Sequence, residues 1–197
     1  MDDMASERTV EERIVDSDTS DTMLLPAVVA VVVTHDPGDW FEEQLRSLLL
    51  QDYPGLVTLV VDSASFTPVA PRVANILPDA YVIRMESNDG FASAINVALS
   101  NVEGAQYLLI CHDDIVLEPD AVRRMVEESY RSNAGVVAPK MVQWNHPNIL
   151  LHMGIVVDRC GVPTERIERD EIDNGQHDAQ WRCSQHRGDV CSSVGIL

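Results

Sequence analysis

Four short polar segments stand directly behind hydrophobic runs and are rich in aspartate: Thr34-His35-Asp36, Asp62-Ser63-Ala64-Ser65, Asn88-Asp89-Gly90 and His112-Asp113-Asp114. Gathered at one place, such hard, anionic oxygen ligands suit a divalent cation, Mn2+ or Mg2+, which can in turn bridge phosphates. The sharpest case is YLLICHDDIVLEP, which drives two adjacent carboxylates out of an apolar run. Their mutual repulsion would be relieved by a counter-ion. The same pair also reads as a polar turn that caps the next helix, since aspartate is common in turns. The company of the other aspartates favours the cation.

These segments share an edge only if the apolar runs before them are strands of one sheet. AVVAVVVT after Pro26 is a near-continuous β-branched run, the signature of a parallel strand covered on both faces. Asp39 is placed to cap a helix through about Leu50, with Phe41, Leu45, Leu48 and Leu49 as its apolar stripe. Leu56 to Val61 and Tyr81 to Met85 read as strands two and three, with a mixed segment around Val69, Val73 and Ile76 between them. A helix from about Asp89 to Asn101 would turn Phe91, Ala94, Ile95, Ala98, Leu99 and Val102 inward. Gln106 to Cys111 is a fourth strand, and Glu118-Pro119-Asp120 opens a helix that ends near Asn133. This alternation predicts an α/β domain with a mostly parallel sheet and helices on both faces. Val136 to Ala138 reads as a further strand, and Ile149 to Val157 as two short strands broken at Gly154. Residues 165–178 read as a charged, solvated loop, and Asp189 to Leu197 as a terminal strand.

With 197 residues, 45% of them hydrophobic, the chain has the size of one domain. Residues 1–25 read as an acidic disordered tail and 26–197 as the domain. The 32 acids against 14 bases give a formal charge of −18, which repels a nucleic-acid backbone. No run reaches the ~20 apolar residues of a membrane helix. The N-terminus lacks the basic and apolar regions of a secretory signal. Cys111, Cys160, Cys183 and Cys191 form no CxxC pair, which fits thiols in a reducing, cytoplasmic setting. There is no G-x-G-x-x-G after the first strand, no G-x-x-x-x-G-K-[ST], and no G-x-S-x-G, so dinucleotide, P-loop and serine-hydrolase readings lack their defining residues. A nucleotidyltransferase reading lacks its Gly-rich basic loop.

Residues 27–197 resemble the family 2 glycosyltransferases, which have the GT-A fold. VVVTHDPGDWFEEQLRSLLLQDYP is similar to the family's opening strand, helix and Q-x-Y-P-like turn. VVDSAS resembles its D-[DN]-x-S, ESNDGFASAINVAL its N-x-G-x-[AS]-x-[AG]-x-N segment, and CHDDIVLEPDAV its D-x-D region with the downstream L-x-P-D. EIDNGQHD with LLHMGIVVDRCGVP resembles a loop of large actinobacterial membrane-associated enzymes of cell-envelope glycan assembly.

The resemblance implies an inverting transfer of sugar from a nucleotide-diphospho-sugar, a UDP- or dTDP-sugar, to a hydroxyl of a glycan or lipid-linked acceptor. Thr34, His35 and Asp36 would line the base and ribose, with Asp62 hydrogen-bonded to the base and Ser65 beside it. Asn88, Gly90 and Asn96 would shape the nucleotide's surroundings, Asp113 would face the ribose or sugar, and Asp114 would bind Mn2+ or Mg2+. His112 stands where the first Asp of D-x-D often stands, and histidine is itself an acceptable Mn2+ ligand. The family's catalytic base would lie beyond Leu197. Asp170, Glu171, Asp173 and Asp178 are the late acids before it that could substitute, and their loop reads as a solvated face instead. The expected location is the cytoplasm, at the inner face of the plasma membrane through parts outside this chain. The alternative is a non-catalytic nucleotide-sugar binding module of a larger protein.

Overall fold

The structure, a computed structural model, describes residues 25–157, 159–176, 182–185 and 195–196. The acidic tail lies outside them, Leu25 excepted. The main sheet is built from β1 (Val28–Thr34), β2 (Leu56–Asp62), β3 (Tyr81–Arg84) and β4 (Tyr107–His112), all parallel, with β11 (Gly195–Ile196) antiparallel at the edge. Its order is β11-β4-β1-β2-β3. The chain builds outward from β1 to β3 and then returns to the other side of β1. The order therefore reverses between β1 and β4, and in open α/β sheets ligands bind outside the carboxyl ends of the strands at such a point.

All seven residues of β1 are buried, because both faces of the sheet are covered. Val28, Ala30 and Val32 pack with Phe41, Leu45 and Leu48 of α1 (Trp40–Leu49), Val73 of α2 (Ala70–Ala74), and Val122 and Met125 of α4 (Ala121–Ser132). Val29, Val31 and Val33 pack on the other face with Ala94 and Ala98 of α3 (Phe91–Leu99). Each fully buried Val or Leu supplies about 1.5–3 kcal/mol of burial free energy, so β1 and β2, which end in Thr34 and Asp62, are firmly held. Asn133, in the left-handed region at φ 52°, ends α4.

A second sheet has the order β5-β10-β6-β7, from β5 (Ile115–Leu117), β6 (Lys140–Gln143), β7 (Leu150–His152) and β10 (Arg182–Gln185). β8 (Ile155–Val157) and β9 (Pro163–Glu165) form a hairpin. No helix among the described residues is long and apolar enough to cross a membrane.

Several local expectations are corrected. Asp39 occupies the N-cap of α1 but its side chain makes no capping hydrogen bond. Leu49 is 57% exposed, and Gln44 and Ser47 take buried places on the helix instead. Leu99 is likewise exposed, while its neighbour Ala98 is fully buried in the face that packs on β1 and β2. Of the strand expected at 136–138 only Val137 forms a bridge; the regular strand begins at Lys140 and lies in the second sheet, which also takes in β5, a strand the local pattern does not reveal. The 165–178 run is not wholly solvated. The side chain of Asp173, 7% exposed, pairs with buried Lys140 at 2.8 Å, a charge match that the local sequence conceals.

Candidate functional site

Register alone assembles much of the edge. Thr34 pairs with Asp62 and Asp62 with Arg84, so the last residues of β1, β2 and β3 stand side by side, while Val33 pairs with His112 at the end of β4. The four strands therefore end within one residue of the same level. Across the point where strand order reverses, Thr34 Oγ1 donates to Asp113 Oδ2 at 2.6 Å.

On the β1–β2 side the loops are tied together. The His35 Nδ1–H donates to the Ser63 carbonyl (2.7 Å), the Asp36 amide to Ser65 Oγ (3.0 Å), and the Phe66 amide to Asp36 Oδ1 (2.6 Å). Asp36 and Ala64 both have positive φ, 46° and 55°. Such strain in non-glycine residues persists only where the surroundings over-determine it. Asp62 is 1% exposed and accepts from the amides of Ser65 (2.9 Å) and Val69 (3.3 Å) and from Arg84 Nη1 (2.7 Å). Arg84 Nη2 also holds the Ser65 carbonyl at 2.7 Å. Burial acting alone would raise the Asp62 carboxyl. The bonds from Ser65 and Val69 and the Arg84 charge outweigh it and hold the group below the usual carboxylate range.

The third loop joins through Asn88, whose Oδ1 accepts from Ser63 Oγ (3.1 Å) and from the Gly90 amide (3.2 Å). Gly90 opens α3 at φ 90°, a conformation that favours glycine, although a Cβ there would meet nothing within 4 Å. Asn96 stands exposed on α3, outside this hydrogen-bond network.

On the β4 side, the His112 ring stacks on Phe91 with centroids 4.1 Å apart. Asp114 is 8% exposed. Burial pushes the Asp113 carboxyl up and the Asp114 charge adds to this, while the Thr34 hydroxyl and His112 pull against it; the net shift is upward. Cys111, immediately before, is buried and its thiol is pushed up to about 12, which makes it a packing residue rather than a nucleophile. Among the described residues, no group of three His, Cys, Asp or Glu side chains converges to hold a metal by itself. The chemistry of His112, Asp113 and Asp114 still fits Mn2+ or Mg2+, because such ions commonly take one or two protein ligands and complete their shell with phosphate and water.

The structure thus brings together Thr34, His35, Asp36, Asp62, Ser65, Asn88, Gly90, His112, Asp113 and Asp114 at one edge. Sequence reasoning missed Arg84, Gln44 and the ring of Phe91. Arg84 closes the third strand as a lone cation, and Gln44 interrupts an apolar stripe; both were legible signals. A recess of about 390 Å³ lined by Leu48, Tyr53, Leu56, Leu77 and Asp79 lies at the opposite, amino-terminal edge of β2 and β3, away from this chemistry.

Residues 29–187 match the family model of Glycosyl transferase family 2. No curated protein matches the chain. Among solved structures it is similar to S. aureus TarS (24% identity, TM-score 0.53, covering 60% of this chain and 22% of that one). Residues 1–349 of TarS in complex with UDP-GlcNAc give 24% identity and a TM-score of 0.54, covering 60% and 35%. The mannosyltransferase PcManGT from Pyrobaculum calidifontis, in complex with GDP-Man and Mn2+, gives 27% identity and a TM-score of 0.54, covering 66% and 41%. The chain therefore spans less than half the length of these solved proteins.

Proposed function

The chain belongs to glycosyl transferase family 2, and from that premise we propose that it binds a nucleotide-diphospho-sugar at the carboxyl edge of the main sheet and serves inverting sugar transfer to an acceptor hydroxyl. The observation that carries this reading is the Thr34–Asp113 hydrogen bond, 2.6 Å, which sets an acidic turn across the strand-order reversal. PcManGT, a partial match at 27% identity, binds GDP-Man with Mn2+ and supports both donor class and cation.

In this reading the braced loops of His35, Asp36 and Ser65 receive the base and ribose, with Asp62 holding their shape from beneath. Asn88 and Gly90 set the entry of α3 beside the nucleotide, with Asn96 further along the same helix. Asp113 faces the ribose or sugar, and Asp114, with His112, would hold Mn2+ or Mg2+. The bound cation would neutralise charge on the departing diphosphate. The protein's own task is to fix the carboxylates before the donor arrives, so that little reorganisation is needed. A UDP- or dTDP-sugar as donor, a glycan or lipid-linked acceptor of the cell envelope, and action at the inner face of the membrane complete the proposal.

The test is calorimetric titration of UDP, dTDP and GDP, with and without Mn2+, on this chain and on Asp114→Ala. Cation-dependent binding of one nucleotide, lost by about tenfold or more in the variant, is expected. Absence of binding with every nucleotide, with and without Mn2+, would reject the donor site.

A further inference from the structure

Alongside the apolar residues of α1 runs a second, polar stripe, Gln44, Ser47 and then Gln51 just past the helix end. Gln44 is 1% and Ser47 6% exposed. We infer that this stripe is a positioning device for the acidic turn, fixing the backbone on both sides of Asp113 and Asp114; the inference rests on the reading that this turn holds the donor's diphosphate and cation.

Every polar group of the stripe but one is spent on that task. Gln44 Nε2 donates to the His112 carbonyl and lies 3.8 Å from Cys111 Sγ. Ser47 Oγ donates to the Gln44 carbonyl (2.7 Å) and accepts from the Leu117 amide (3.2 Å). Gln51 Nε2 donates to the carbonyls of Ser47 and Glu118 (both 2.9 Å), and Gln51 Oε1 accepts from the Val122 amide (3.1 Å). The Asp52 amide adds a bond to the Pro119 carbonyl at 2.8 Å. Backbone groups at 112, 117, 118, 119 and 122 are thus all held from α1 and the residues after it.

The placement has a physical reason. After His112 the chain leaves the main sheet, and β5 joins a different one. The backbone in between loses its ladder partners and needs others. The remaining atom, Gln44 Oε1, is buried with no hydrogen-bond partner among the described residues. An apolar side chain of the same length would fill the place without that orphan. The amide is therefore explained by what its nitrogen does at His112, the residue that launches the two carboxylates, and not by packing. Groups that orient metal-binding side chains from behind commonly change metal affinity about 10–100-fold when removed.

Gln44→Met keeps the length and removes the donor. Three readouts on the whole chain test it: thermal melting, peptide hydrogen exchange over residues 107–122, and titration of UDP and GDP with and without Mn2+. The expected result is a melting temperature lowered by only about 3 °C, faster exchange at 112–118, and Mn2+-dependent nucleotide affinity reduced about tenfold with metal-free affinity unchanged. A merely structural role would reduce both affinities in proportion, and that result, or unaltered exchange at 112–118, would overturn the inference. If the unmodified chain binds no nucleotide with Mn2+, the donor reading fails, and the exchange comparison still decides whether Gln44 holds the turn. Should Gln44→Met not fold, Ser47→Ala carries the same expectations through Leu117.

Discussion

Asp62 closes β2 and Asp113 follows β4 by one residue, so two shielded carboxylates stand at one edge of one sheet in opposite electrostatic conditions. Asp62 receives two backbone amides and a guanidinium and is held below the usual range. Asp113 receives the Thr34 hydroxyl and its own backbone N–H but no guanidinium, is shielded from water beside a second carboxylate, and is pushed up. The first is a satisfied anion that shapes a loop. The second has an unmet demand for positive charge, which a bound cation would supply. Residue type fails to separate the two roles; the charges and donors around each carboxylate do.

The largest way to break this contrast is Asp62→Ala. Removing the anion leaves the amides of Ser65 and Val69 and the Arg84 charge without their acceptor, and a loss of about 3 kcal/mol in unfolding free energy is expected by urea denaturation. A near-neutral result would show that Asp62 does not organise the loop. Asp113→Asn should do the reverse: a higher urea midpoint at neutral pH, together with loss of Mn2+-dependent nucleotide binding. A fall in the midpoint would refute the claim that this carboxylate is held at a cost.

Acid separates the pair by sign. The stabilisation from Asp62, whose folded pKa is depressed, is fully present above the unfolded value near 3.9 and is lost as pH falls below it. Asp113 has a raised folded pKa, so its ionisation costs stability as pH rises through about 3.9 and beyond. The advantage of Asp113→Asn over the unmodified chain should therefore vanish near pH 3, where a stability series from pH 7 downward would reveal it. The smallest effect is at Phe66, 93% exposed, whose backbone amide and not its ring holds Asp36. Phe66→Ala should shift stability by less than about 0.5 kcal/mol. Phe66→Pro deletes the N–H and should cost about 1 kcal/mol, a difference that urea titration resolves.

Much of this site was legible beforehand. Apolar runs ending in Thr34, Asp62 and His112 showed which residues would emerge at a strand end, since a strand long enough to cross the core must release its polar residues at the rim. Phe91 reads as an inward helix residue, and it packs partly buried with Val29 and Val31. Its stacking on His112 depends on where α3 begins relative to β4, a relation between residues 21 positions apart that no local pattern encodes. Asp173 sits in a charge run that reads as solvated, and its burial follows from Lys140, far upstream.

The sequence by itself determined the alternating elements, the turn residues between them and the family to which they belong, because periodicity and backbone preference act over a few neighbours. Tertiary structure alone decided which carboxylate is satisfied and which is not. Donors to Asp62 come from as far as Arg84, the hydroxyl that donates to Asp113 comes from Thr34, and the carbonyl of His112 is held by Gln44. Electrostatic environment is a sum over spatial neighbours, and folding, not sequence proximity, chooses them.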